Sequence, residues 1–199
     1  MSAGIASPEV GPAGSSRLLD AVQAVCLAAG LASIATAAVT AMALFPRMRA
    51  MSVAIPGYAA APDLHWVIAA GAVMHRVFVI VGWAALVCAG TALALLLASG
   101  FAARRLRARP PVGRILMLGA AAGLLGFQSC ALTPRMTAHL GVFHEAARAG
   151  REAEAREARA EFDALHPAAN RVLGLGALGM MGAMALALRA CGRGAEAGR

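Results

Sequence analysis

Long uncharged or nearly uncharged runs recur four times along the chain, separated by segments in which charged and turn-forming residues return. They cover about residues 21–45, 77–99, 112–133 and 172–188. A helix crosses the hydrocarbon core of a bilayer with about 20 apolar residues, and each run meets or approaches that length. The apolar positions are continuous rather than spaced along one face, so the pattern predicts helices that are apolar all round. The first two runs carry no charge. The third holds Arg114 near its start, where a long side chain is expected to snorkel outward.

The runs are not independent. Ala43-Leu44-Phe45-Pro46-Arg47-Met48-Arg49-Ala50 closes the first, and Ala131-Leu132-Thr133-Pro134-Arg135-Met136-Thr137-Ala138 closes the third. Likewise His75-Arg76-Val77-Phe78 opens the second and Asn170-Arg171-Val172-Leu173 opens the fourth. The order of apolar run, P-R-M exit, spacer, R-V and apolar run therefore occurs twice. It predicts an all-α, four-transmembrane-helix bundle made of two duplicated helical hairpins, related by an axis along the membrane normal. Pro46 and Pro134 are helix-boundary residues in this reading, because proline cannot continue a helix without losing a backbone hydrogen bond.

The spacers differ. Between Glu145 and Asp163 six acidic residues alternate with Arg and Ala, and Arg148/Glu152, Glu152/Arg156 and Arg159/Asp163 stand four apart, facing each other on a helix. This predicts an extramembrane helix between spans 3 and 4, solvated on its surface, ending at Phe162, Leu165 and His166 and broken by Pro167. Docking of that helix across the first spacer is the competing expectation. Residues 1–18 read as a disordered tail rich in Ser, Gly, Pro and Ala, 19–190 as the membrane domain, and 191–199 as a polar tail. The polar leader and the length of the first run argue against a cleaved signal peptide.

Composition agrees: 60% of residues are hydrophobic and 14% charged. The net charge of +8 does not indicate nucleic acid, because every one of the eighteen basic residues is Arg and they gather at the ends of the runs. Arg104, Arg105, Arg107 and Arg109 crowd the link between runs two and three. Short Arg-rich loops stay cytoplasmic, which places both termini in the cytoplasm and both P-R-M exits on the far side of the cell membrane. Cys26, Cys88, Cys130 and Cys191 are scattered, without a C-x-x-C pair, and read as small apolar residues.

The candidate chemistry collects at the far side. Arg47, His75, Arg76, Arg135, His166, Asn170 and Arg171 all sit where runs end or begin, and ionisable groups at such depth face a bundle interior or a watery cavity. They form the candidate substrate-binding set, with boundary anchoring as the alternative. Gln128 is the most costly polar group inside a run and is expected to face the bundle. Gly119, Gly123, Gly174, Gly176, Gly179 and Gly182 are expected to let helices approach closely. The letters G-x-G-x-x-G at Gly174–Gly179 lie inside an apolar run and are no dinucleotide fingerprint. His65, His139 and His144 show no metal-ligand spacing. No catalytic constellation is present, so no enzyme activity and no cofactor are expected.

Pro134-Arg135, the charged helical spacer, Phe162-x-x-Leu165-His166 and Asn170 at the head of a glycine-rich run, with Met74-His75-Arg76-Val77-Phe78 in the first half, resemble the DUF4149 family of small four-span proteins, similar to transmembrane protein 205. The resemblance implies the four-span architecture and no particular reaction. Three functions are thus expected in order: an integral membrane protein that binds or passes a small solute at the far-side cluster; a structural or interaction subunit, as a homo-oligomer or with a membrane partner; and a haem or metal redox protein using His75 and His166.

Overall fold

The structure is a computed structural model that describes residues 12–52, 54–58, 65–104 and 112–196. Of these, 94% are helical, and no strand occurs among the described residues. Five α-helices follow in order: α1 (Pro12–Ala50), α2 (His65–Arg104), α3 (Val112–Phe127), α4 (Thr133–Arg148) and α5 (Glu152–Glu196). A five-residue π-turn, Gln128–Leu132, joins α3 to α4 without a break in right-handed helical backbone. Four rods result, each with a stretch long and apolar enough to cross a membrane. The tail expected over residues 1–18 lies outside the described residues up to position 11, whereas from Pro12 onward the chain is already helical. Proline is pre-organised for the first helical position. At the other end α5 runs on to Glu196, into the segment expected to be a polar tail. Arg105, Arg107 and Arg109 of the link lie outside the described residues.

The rods form a ring in the order α1, α2, α3, α5, with α5 closing on α1. α1 and α2 make one hairpin; α3–α4 and α5 make the other. Neighbours are antiparallel, so the start of α1, the end of α2, the start of α3 and the end of α5 share one end, here the terminal end. The end of α1, the start of α2 and the α4–α5 corner share the other, the loop end.

Within the apolar part, Leu27, Ala85, Ala89, Leu118, Ala121, Leu125 and Met180 form the buried centre. Small residues set its spacing. A methyl group added at Gly179 would lie 3.1 Å from Ala121 Cβ and 3.2 Å from the Met117 carbonyl oxygen, and one at Gly176 would meet Leu125 Cγ at 3.1 Å. α3 and α5 are therefore in contact at their backbones. The expectation for the other glycines needs correction: Gly119, Gly123 and Gly174 face open space, and a methyl group added at any of them would meet nothing within 4 Å, since their helical phase turns them outward.

Neither proline ends its helix where expected. α1 continues four residues past Pro46, to Ala50. At Pro134 the rod also continues, because the π-turn absorbs the defect: the Thr133 amide donates to the Gln128 carbonyl, five residues back, and the register after it starts anew. α5 passes straight through Pro167, so the charged spacer helix and span 4 are a single helix. The defect of one missing hydrogen bond, about 3 kcal/mol in an isolated helix, is offset by packing on both sides of it.

The charged helix also does not stand free. Gly150, at φ 73°, ends α4. The Arg151 amide donates to the Ala146 carbonyl and the Gly150 amide to that of Ala147, the paired bonds of a Schellman cap. This tight corner lays α5 back on α4 through Ala146, Ala147, Ala155 and Ala158, around a fully buried Phe143. Tyr58 of the first spacer packs on the same cluster. Its hydroxyl accepts a 2.7 Å hydrogen bond from Arg148 Nε, with the guanidinium 5.3 Å from its ring centre. Docking across the first spacer is thus what the molecule does, and Arg148 serves that contact rather than Glu152. The expected Arg156–Glu152 and Arg159–Asp163 pairs also form. His65, the first residue of α2, holds the spacer from below: its Nδ1 accepts from the Ile55 amide at 3.1 Å, so its Nε2 carries the proton given to the Tyr58 carbonyl at 2.6 Å.

Glycine packing gives a direct test. Gly179→Leu should lower unfolding stability by about 1–3 kcal/mol through overpacking, read from thermal or SDS titration in micelles. Gly174→Leu should stay within about 0.5 kcal/mol; equal loss in both variants would contradict the α3–α5 contact.

Candidate binding cavity

At the loop end the four rods do not fill the ring. A cavity of about 940 Å³ lies between α1, α2, α4 and α5, with the π-turn in its wall. Its apolar wall belongs to the spans: Ile34, Phe45, Phe78, Val79 and Leu173. The polar lining is His75, Thr133, His166 and Asn170 toward the loop end, and Gln128 at the deep end, next to Ser129, which packs on Gly82. Arg159 and Asp163 also line it, paired with each other at 2.8 Å.

Each polar wall group is placed by its helix. His75 Nε2 lies 2.9 Å from Thr137 Oγ1, while that hydroxyl donates to the Thr133 carbonyl at 2.7 Å. Thr137 therefore accepts from His75, which fixes the proton on Nε2 and ties α2 to α4. His166 rests on Phe162 one turn away, ring centres 5.7 Å apart. Gln128 Oε1 and the neighbouring Ser129 Oγ are buried without a hydrogen-bond partner within the protein. Ser129 is 4% exposed and faces Gly82 of α2 at 3.4 Å from a methyl position there. Two vacant hydrogen-bonding atoms thus flank the π-turn, a distortion that frequently accompanies functional sites.

The predicted site divides in two. His75, His166, Asn170 and Pro46 line the cavity; Arg47, Arg76, Arg135, Arg171 and Pro134 do not, and those four arginines are exposed. The reason is helical phase. Pro46, His75 and Asn170 each face the cavity, and the arginine that follows each is turned by about 100° to the outside. The expected cationic cluster is instead a set of separate arginines around a neutral cavity. Among the described residues no three His, Cys, Asp or Glu side chains gather as a metal site.

A second polar arrangement, absent from the sequence reading, sits at the terminal end. Arg114 is only 6% exposed and does not snorkel. It turns inward from α3 to Asp20 of α1 at 2.8 Å, and donates to Gln23 Oε1 on the same helix face. Gln23, 2% exposed, passes the chain on by donating from Nε2 to the Ala92 carbonyl of α2 at 2.7 Å. Three helices are tied by one guanidinium across the ring. The signal was available: Asp20 and Gln23 stand three apart, one residue before and two residues inside the first apolar run.

Comparison with known proteins bears on the middle of the chain. Residues 68–140 match the family model DUF4149, a domain of unknown function. The matched stretch takes in His75, the π-turn and Pro134-Arg135, while Phe162, His166 and Asn170 of the DUF4149-like pattern lie beyond it. No curated protein matches the chain, and no solved structure matches it.

The inner tie is testable apart from the cavity. Asp20→Ala leaves the Arg114 charge short of its carboxylate and should destabilise the bundle by about 3 kcal/mol, whereas Asp20→Ala with Arg114→Met should restore most of the loss. Unfolding titrations of single and double variants check it; additive losses would show that the two side chains do not act on each other.

Proposed function

We propose that this multi-pass membrane protein binds, and in a membrane passes, a small molecule received in the loop-end cavity. The observation that carries the reading is a cavity of about 940 Å³ with an unpartnered acceptor, Gln128 Oε1, in its wall. Ligand cavities fall in the range of about 300–1,000 Å³, mostly apolar with a few placed polar groups. Unsatisfied buried polar atoms cost about 1–3 kcal/mol each, a penalty that a bound molecule relieves. The working residues are His75, Gln128, His166 and Asn170. Arg47, Arg76, Arg135 and Arg171 act at the membrane boundary. The reading is non-enzymatic and needs no resident cofactor.

The Arg-rich link supports an orientation in the cell membrane with both termini cytoplasmic and the cavity on the opposite side. A role as a structural subunit, in a homo-oligomer or with another membrane protein, would use lipid-facing surface instead. The face of α3 carrying Gly119 and Gly123 is open for that, and closely spaced glycines suit helix association. Gly119→Leu separates the readings, since it would disturb assembly and leave the cavity intact.

Two outcomes are expected. In a cysteine-free background, a cysteine at Ser52 should react with impermeant maleimide added outside intact cells, and one at Arg189 only after permeabilisation; the reverse pattern would invert the topology. In a thermal-shift and liposome-flux screen of ions and small organic solutes, responses should vanish in Ala38→Trp, which fills the cavity, and persist in Arg47→Ala/Arg135→Ala. Responses that survive cavity filling, or the lack of any response, would leave the subunit role.

A further inference from the structure

The wall of the cavity is not equally open all round. Every lining residue that is exposed lies on α1, at Ala38, Met42 and Pro46, or on α5 between Asp163 and Asn170; those from α2, the π-turn and α4 are buried or half-buried. The mouth is therefore lateral, a cleft between α1 and α5. From Pro46 down to Ala38 it extends about 12 Å along the helix axis, and this length belongs to the apolar span of α1. On the α5 side it runs through Asp163, His166 and Asn170, above the apolar run that starts at Val172. The cleft thus opens to hydrocarbon below and to the head-group region above.

The polar end of the cavity also has a sign. Its two fixed charges, Arg159 and Asp163, neutralise each other. Pro46 and Pro167 both line it, and each lacks the amide that would satisfy the carbonyl four residues earlier. Those carbonyls belong to Met42 and Asp163, which are themselves lining residues. Both carbonyls are left without their helical donor at this end, while Gln128 Oε1, also unpartnered, lies at the deep end. Outside the mouth stand Arg47 and Arg171, exposed, which repel a cation and hold an anion at the rim.

Resting on the binding role above, we propose that the cavity takes a neutral single-chain amphiphile from the bilayer, entering sideways between α1 and α5. Its aliphatic tail lies along Ile34, Phe78 and Leu173. Its hydroxyl-bearing head donates to the carbonyls released by the two prolines. A 1-monoacylglycerol has this chemistry.

The test uses the full chain in phosphatidylcholine nanodiscs with 1-monopalmitoylglycerol carrying a diazirine and an alkyne in its tail. Irradiation should label peptides within residues 34–46 and 162–173, and excess unlabelled 1-monopalmitoylglycerol should cut that labelling at least fivefold. Met42→Trp, in the mouth, should lower it at least fivefold; Val39→Trp, exposed but outside the lining, should not. Labelling spread over the lipid-facing surface and insensitive to competitor overturns the proposal, as does equal labelling of Met42→Trp. Palmitic acid or palmitylamine competing as well as the monoglyceride overturns the neutral head. Competition by glycerol alone, with none from the lipid, overturns the amphiphile and leaves the solute-binding role standing; that role fails separately, in the solute screen.

Discussion

The helices are much longer than the membrane they cross, and most of the architecture follows from that mismatch. At 1.5 Å per residue the rods measure about 56–68 Å, against a hydrocarbon core of about 30 Å. One bundle is thus built in two solvents. In lipid no hydrophobic gain draws helices together, so contact depends on small residues and shape, as where Gly179 lies on Ala121 and Met117. Beyond the lipid, water returns and apolar burial drives packing again. There α4, α5 and the first spacer enclose Phe143 and Tyr58 in a core of soluble type. The cavity lies at the level where the one mode of packing gives way to the other.

The opposite end is closed by a different force. Arg114 would be costly in an apolar ring without partners, and it has Asp20, Gln23 and, through Gln23, the Ala92 carbonyl. A buried ion pair adds little net stability over a well-packed apolar set, yet breaking it is expensive. Its directional demand is what matters: only one rotation of α1 puts Asp20 and Gln23 before the guanidinium while Leu27 and Ala37 stay buried. The tie therefore fixes the phase of α1, and α1 carries Ala38, Met42 and Pro46 to the cavity mouth. The two polar sites are linked through the rotation of that helix.

Span number, hairpin order and the small-residue packing of α3 on α5 were legible in the sequence because they depend on composition and on spacing along one helix. So was the inward position of Gln128, since an amide in an apolar run has few alternatives. The arginines were misjudged because a motif read as letters carries no phase: Pro46 and Arg47 are neighbours in sequence and about 100° apart on the helix. Pro134 and Pro167 were misjudged because local propensity treats proline as an end, whereas a π-turn or strong flanking contacts let the helix continue. Asp20 was overlooked for lying one residue outside an apolar run whose boundary was drawn by hydropathy. The docking of Tyr58 under Arg148 joins residues ninety positions apart, a distance at which no periodicity carries information.

The helix irregularities and the cavity are two views of one arrangement. Backbone groups without partners cost several kcal/mol in hydrocarbon, and irregular backbone at membrane depth survives where it is buried in protein or lines a polar space. Three irregularities border one cavity here: Pro46 in α1, the π-turn after α3 and Pro167 in α5. They come from three different rods, and each contributes lining residues. Scattered along lipid-facing surfaces, they would each leave a carbonyl in hydrocarbon; gathered around one cavity, they are enclosed by protein instead. The duplicated P-R-M phrase accounts for two of the three, since each copy places a proline at or directly after one of these defects, on an antiparallel partner of α2 or α5. Duplication thus supplied matched backbone defects on opposite hairpins, and closing the ring around them produced a cavity lined with acceptors.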